Sequence, residues 1–137
     1  MIKASIKVSR SLDDKIKQIE EKLELAVRQR LQDIAEYATL ISPVDTGAYV
    51  TSFSYGVGRG RPRGKSSHGR PRKQNTEAMK AEGLANLMED INKIRDIKNT
   101  SRITLRNGSP HAEIVESGTS KQRGSFVFRK VLHRYNR

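Results

Sequence analysis

Between residues 12 and 39, Leu12, Ile16, Ile19, Leu23, Ala26, Ile34 and Ala38 return at helical three-and-four spacing, with acids and bases filling the positions between them. That period predicts a long amphipathic helix. Ser11 with Asp14 three residues on approximates a capping box and marks its start. Ser42-Pro43 marks its end, because proline disfavours helical backbone in the residue before it. Pro43-Val44-Asp45-Thr46-Gly47 then reads as a tight corner: the proline presets one dihedral, Asp45 and Thr46 can bond the local backbone, and Gly47 can take a positive φ. From 48 to 57, Tyr49, Thr51, Phe53, Tyr55 and Val57 alternate with small or polar residues, the period of a strand with one buried face.

A second helix is expected from Thr76 to about residue 98, its apolar face made by Ala78, Leu84, Leu87, Met88, Ile91 and Ile94, with Gly83 as a local weak point. Residues 102–106 alternate around Ile103 and Leu105, Asn107-Gly108 signals a turn, and 112–116 resumes extended structure, so a hairpin is predicted there. Ser109-Pro110 lengthens its connection or puts proline at a strand entry. The tail from 125 to 135 mixes Phe126, Val127, Val131 and Leu132 with bases and is read as a short helix. No internal repeat is present, and no heptad seam is long enough for a free-standing coiled coil. The expected fold is α+β: a long N-terminal helix and a second helix on a small, mainly antiparallel sheet, with a basic loop inserted. At 137 residues, a single domain over 1–137 is expected.

Composition changes this picture in two ways. Hydrophobic residues are only 34% and aromatics 5%, so the core must be modest and aliphatic, and such a chain leans on partners for stability. Lys and Arg exceed the acids by twelve, which predicts attraction to polyanions, acidic protein surfaces or anionic membranes. More than half of that surplus sits in one stretch, 58–74, where Arg59, Arg61, Arg63, Lys65, Arg70, Arg72 and Lys73 alternate with glycine, proline and serine and no acid occurs. Without a large apolar residue it cannot join a core, and it is expected to form a mobile loop or hairpin tip. Arginine forks suit phosphate oxygens, and the absence of interleaved aromatics excludes base stacking, so any DNA contact would be non-specific and salt-sensitive. The competing reading is a solvated insertion. Cysteine is absent, which removes disulfides, thiolate metal sites and cysteine nucleophiles. No apolar run has signal-peptide length and nowhere do eighteen apolar residues stand together, so a soluble protein without a membrane partner is expected.

Catalytic chemistry finds little footing. His68, His111 and His133 stand in no metal-ligand spacing and read as surface or packing histidines, so neither metal nor cofactor is expected. Glu113 and Glu116, on a strand, would point to opposite faces. Asp45, between proline and Thr-Gly, reads as a turn residue rather than a catalytic acid. The glycines around Arg59 match no phosphate-binding loop. A non-enzyme is expected.

Two stretches carry a resemblance. Ser42-Pro43-Val44-Asp45-Thr46-Gly47 followed by Ser52-Phe53, and His111-Ala112-Glu113-Ile114-Val115-Glu116-Ser117-Gly118-Thr119, resemble the signature stretches of the tail-completion or neck proteins of long-tailed bacteriophages. In that family a long helix leads to a Pro-x-Asp-Thr-Gly turn and a strand; a later strand carries Ala-x-x-Val-Glu-x-Gly-Thr, and a short helix closes the chain. The order here is the same, and 58–74 is the main stretch outside the pattern. Phe53 stands where tryptophan is frequent and His111 where tyrosine is common. The resemblance implies a structural virion protein, assembled in the host cytoplasm, that forms a homo-oligomeric ring, commonly of six, at the head–tail junction around the DNA channel.

It also implies that Pro43, Asp45, Thr46, Gly47, Phe53, Ala112, Val115, Glu116, Gly118 and Thr119 build the turns and interface. The partners implied are other copies of the chain and neighbouring neck, connector or tail-tube proteins. The strand after Gly47 and the 112–116 strand are expected to form the sheet backing the ring contact, and the basic loop to face DNA or an acidic partner. Two alternative stations or classes stand beside this: a terminator capping the tail tube, and a free, non-specific DNA-binding protein. A small nuclease is a third class, which sequence spacing leaves open.

Overall fold

The computed structural model describes residues 2–44, 48–58, 76–95, 97 and 102–136, and of residues 2–11 the backbone alone. The first helix, α1, runs from Ile2 to Ile41, 40 residues, or roughly 60 Å at the usual helical rise. It begins nine residues before the expected cap, so Ser11 lies inside it; neither glycine nor proline interrupts residues 2–11, and serine's modest helical cost does not stop a helix already under way. At its other end Thr39 and Ser42 turn their hydroxyls back to the carbonyls of Ala35 (2.9 Å) and Ala38 (2.5 Å). Lys80 donates to the Leu40 carbonyl at 2.6 Å, a cation at the negative end of the helix.

A 3-10 turn, Val50–Ser52, precedes strand β1, Phe53–Val57. The expected strand therefore loses its first five residues: the Ser52 amide donates to the Tyr49 carbonyl at 3.1 Å and its hydroxyl to that of Ala48, and both bonds coil the backbone. Helix α2 spans Thr76–Lys93. It stops short of 98 because Arg28 of α1 takes the carbonyls of Ile91 (2.9 Å) and Ile94 (2.6 Å), satisfying the helix end. Its buried face is Met79, Gly83, Leu87 and Ile91, while Ala78 faces solvent. Gly83 is a contact point rather than a weakness: a Cβ there would collide with the Val50 carbonyl oxygen, so only glycine lets α2 lie on the 3-10 turn.

Strand β2, Ile103–Asn107, pairs antiparallel with β1, Phe53 opposite Asn107 and Val57 opposite Ile103. The predicted local hairpin does not form. Residues 112–116 belong instead to a helix, α3, Ala112–Ser117. Ala112 and Val115, which read as strand alternation with the polar residues, also stand at helical spacing, and both pack on the core by that route. The Asn107 side chain accepts from the Ser109 amide (2.9 Å) and donates to the Tyr49 carbonyl (2.8 Å), turning the chain away from a two-residue hairpin. The tail forms α4, Val127–Tyr135, as expected.

The fold is thus α+β, with α1 and α2 beside a two-stranded antiparallel sheet. The free edge of β1 is covered: Asp90 of α2 accepts the Tyr55 amide at 3.1 Å. Two clusters make the core. Ala35, Ala38, Tyr49, Phe53, Leu87, Val127 and Val131 form one; Leu31, Ile91, Ile94 and Ile97 form the other; Tyr55 packs against both. The Tyr55 hydroxyl reaches the Leu31 carbonyl at 2.7 Å, and burial, with Tyr135 nearby, holds its phenol well above the usual range. Helix α4 is fastened to α1 by Tyr135, whose hydroxyl donates to the Asp33 carbonyl at 3.0 Å, and by Arg134, whose guanidinium lies 4.4 Å over the Tyr37 ring. Among the described residues no helix is long and apolar enough to cross a membrane.

Candidate functional site

The two signature stretches, far apart in sequence, meet in the fold. Phe53 is fully buried and stacks edge-on to Tyr49, ring centres 5.2 Å apart, and against Phe128 of α4 at 5.9 Å. Ala112 and Val115 of α3 pack against the same cluster. Between them lies a partly open groove of about 520 Å³, with Pro43 and Tyr49 from the first stretch and His111, Ile114 and Val115 from the second on its walls. Asp45, Thr46 and Gly47 lie outside the described residues.

The second stretch has a local explanation, residue by residue. Helix α3 ends at Gly118, whose φ of 80° is glycine's territory, and whose amide donates to the Ile114 carbonyl at 2.7 Å. Its Cα lies against the backbone at 122–124, where any Cβ would strike Gln122 and Gly124. Thr119 closes the turn, its hydroxyl oxygen accepting from the amides of Lys121 (3.2 Å) and Gln122 (3.1 Å). Glu116 then does what α4 cannot do for itself. The residue at the start of that helix, Phe126, has a φ of 51° and offers no capping side chain. Glu116 reaches across, its two carboxylate oxygens accepting from Phe128 (3.0 Å) and Arg129 (3.1 Å), so a negative charge sits on the positive helix end. The pattern Val-Glu-x-Gly-Thr therefore encodes one helix end, one turn and the cap of the next helix. The opposed-carboxylate reading of Glu113 and Glu116 falls with the strand: Glu113 is exposed and Glu116 is the cap.

Tyr49 is the residue that the sequence did not single out. It is buried, and its hydroxyl has no hydrogen-bond partner among the described residues. Burial first, and the Glu116 charge second, hold the phenol far above its usual range, so it stays protonated. Its alternation with Phe53 pointed to a strand face, and no local signal marks the turn that buries it. His111 stands exposed at the groove rim and His133 exposed on α4, while His68 lies outside the described residues. Among the described residues no three of His, Cys, Asp and Glu gather as a metal site requires. The seven cations Arg59, Arg61, Arg63, Lys65, Arg70, Arg72 and Lys73 all lie outside the described residues, between the end of β1 and the start of α2.

A second surface comes from α1. Its apolar stripe is buried only in its later part, at Leu31, Ala35 and Ala38. Upstream, Leu12, Ile16, Ile19 and Leu23 are 57%, 45%, 65% and 55% exposed, and every position from 12 to 19 faces solvent. The core is met from Val27 onward, and no described residue buries Leu12, Ile16, Ile19 or Leu23. The expected contact built on two paired strands is corrected, since only one of the two is a strand.

Compared with known protein families, with curated proteins and with solved structures, the chain matches none.

Proposed function

We propose that this protein is a structural subunit of a bacteriophage neck or tail that acts as a homo-oligomeric ring at the head–tail junction. The observation that carries this reading is the row of four exposed aliphatic residues on α1, which a lone subunit leaves in water. Soluble monomers rarely keep a continuous apolar strip uncovered, and strips of this kind mark assembly surfaces. The modest core is the other half of the argument: Phe53 is the only aromatic ring fully buried among the described residues, so neighbours contribute stability that the subunit lacks. The resemblance of the 42–53 and 111–119 stretches to tail-completion proteins supports the same reading.

The basic segment gives the ring its expected content. Seven cations per subunit, repeated around a closed ring, make a positive collar suited to a duplex threading the lumen. Electron microscopy of the purified full chain tests the assembly: closed rings with a central channel are expected, and single particles of subunit size at high concentration contradict it. The channel is tested apart from it. Neutralising Arg59, Arg61, Arg63, Arg70, Arg72 and Lys73 should abolish salt-sensitive duplex binding and leave the rings intact; unchanged binding removes the DNA part of the reading and leaves the ring.

A further inference from the structure

We infer that the outer face of α4 is a further anion-binding site, which holds the phosphate backbone of a DNA duplex through Arg129, Lys130, His133 and Arg134. The inference rests on the DNA part of the reading above and places a contact outside residues 58–74. Val127 and Val131 are buried, and the four basic residues on the other side of the helix are all exposed. They line one open depression of about 450 Å³ against Tyr37 of α1, and its lining carries no acid. From 119 to 137 the sequence holds six Lys and Arg and no Asp or Glu.

Helix stability does not account for this charge. His133 and Arg134 stand in the last turn, where cations complement the helix dipole. Arg129 and Lys130 stand in the first turn, where they oppose it, and that turn has no acid of its own. Glu116 reaches this end from α3, and its carboxylate is taken by the amides of Phe128 and Arg129. Asp33 and Glu36 of α1 line a separate depression that shares Tyr37 and Arg134.

The donors of the site stay available. Arg129 lies 4.7 Å over the Phe126 ring and Arg134 4.4 Å over the Tyr37 ring. A ring face holds a guanidinium by its flat side, so the N–H groups in its plane remain open to oxygen acceptors. Among the described residues, no ion pair to a carboxylate engages any of the four side chains. A depression walled by cations and without an aliphatic residue in its lining fits phosphates rather than a protein. Protein interfaces shed charge at their centres, whereas DNA interfaces are strongly positive. Phosphates carry no base identity, so the contact ignores sequence. Four cations here, against seven in 58–74, add to the grip of that segment and do not replace it.

The salt dependence of duplex binding by the full chain tests the site, with 58–74 intact and a labelled duplex of arbitrary sequence as the probe. Arg129→Gln/Lys130→Gln should lower the slope of log affinity against log salt by about two, roughly 0.9 for each lost phosphate contact. Lys130→Gln alone, which disturbs no ring contact, should lower it by about one. Arg129→Lys/Lys130→Arg should keep the native slope. That pattern, with native helix content by circular dichroism, supports the inference. Slopes unchanged in both glutamine variants, with binding lost when the 58–74 cations are neutralised, overturn the site and leave the DNA reading. Polyglutamate bound as tightly as a duplex of equal charge, and weakened alike by the variants, overturns the choice of ligand. A native chain that binds no duplex at low salt overturns both.

Discussion

The two parts of α1 carry the same periodic code and meet different fates. From Arg28 to Ile41 the helix is held from three sides: Arg28 on the end of α2, Leu31 against Tyr55, and Asp33 and Tyr37 against α4. From Leu12 to Leu23 the apolar face is as regular, and among the described residues it stays largely exposed. Periodicity therefore reports that a helix has an apolar face and leaves the partner unnamed. In the reading proposed here the partner changes partway along one helix, from the subunit's own body to another copy.

That contrast can be broken most forcefully in the packed region. Phe53→Ala should cost about 3–5 kcal/mol and Leu31→Ala about 2–5 kcal/mol in denaturant unfolding, because each empties a closed site. Ile19→Ala, measured at concentrations where copies are apart, should stay within about 0.5 kcal/mol. Equal losses at Leu31 and Ile19 would mean that the upstream face is packed after all.

A smaller effect is expected at the cap. Glu116→Ala should destabilise by about 1 kcal/mol, seen as a lower thermal midpoint together with faster hydrogen exchange at the start of α4. Exchange unchanged at Phe128 and Arg129 would remove the capping account and leave the second stretch without its central residue.

Comparable in size is the loss of the Tyr55 hydroxyl, which links the two core clusters to α1. Tyr55→Phe should cost about 1 kcal/mol through its lost bond to Leu31. It should also soften the alkaline response. The unfolded phenol releases its proton near its ordinary 10.0, whereas the folded one holds it to higher pH. Above that value the unfolded state binds fewer protons than the folded state, so stability is complete below it and falls as pH rises beyond it. Tyr49 adds to the slope in the same direction. Removing Tyr55 should flatten the fall, and an unchanged slope would assign it elsewhere.

Much of the fold was legible because its signals are local. The helix faces, the Pro43 stop, the β1 alternation after Phe53 and the α4 stretch all speak through neighbours in sequence. What was illegible depends on distant partners. Residues 112–116 read as a strand and form a helix, which packs Ala112 and Val115 against Tyr49 and Phe53, more than fifty residues away in sequence. Glu116 was marked by its motif, but its target, the unprotected start of α4, is set by the positive φ of Phe126. Gly83 looked like a flaw in a helix and proves to be the space into which Val50 fits. The limit of the apolar stripe was beyond reach for the same reason, since no sequence pattern says where the body ends.

The mass of the full chain across a concentration series tests the central claim most directly, run beside an Ile16→Lys/Ile19→Lys variant. The account predicts one closed oligomer for the native chain and smaller species for the variant, with helix content unchanged in both. A native chain that stays monomeric throughout, or an oligomer indifferent to charges placed in the middle of the exposed row on α1, would contradict it.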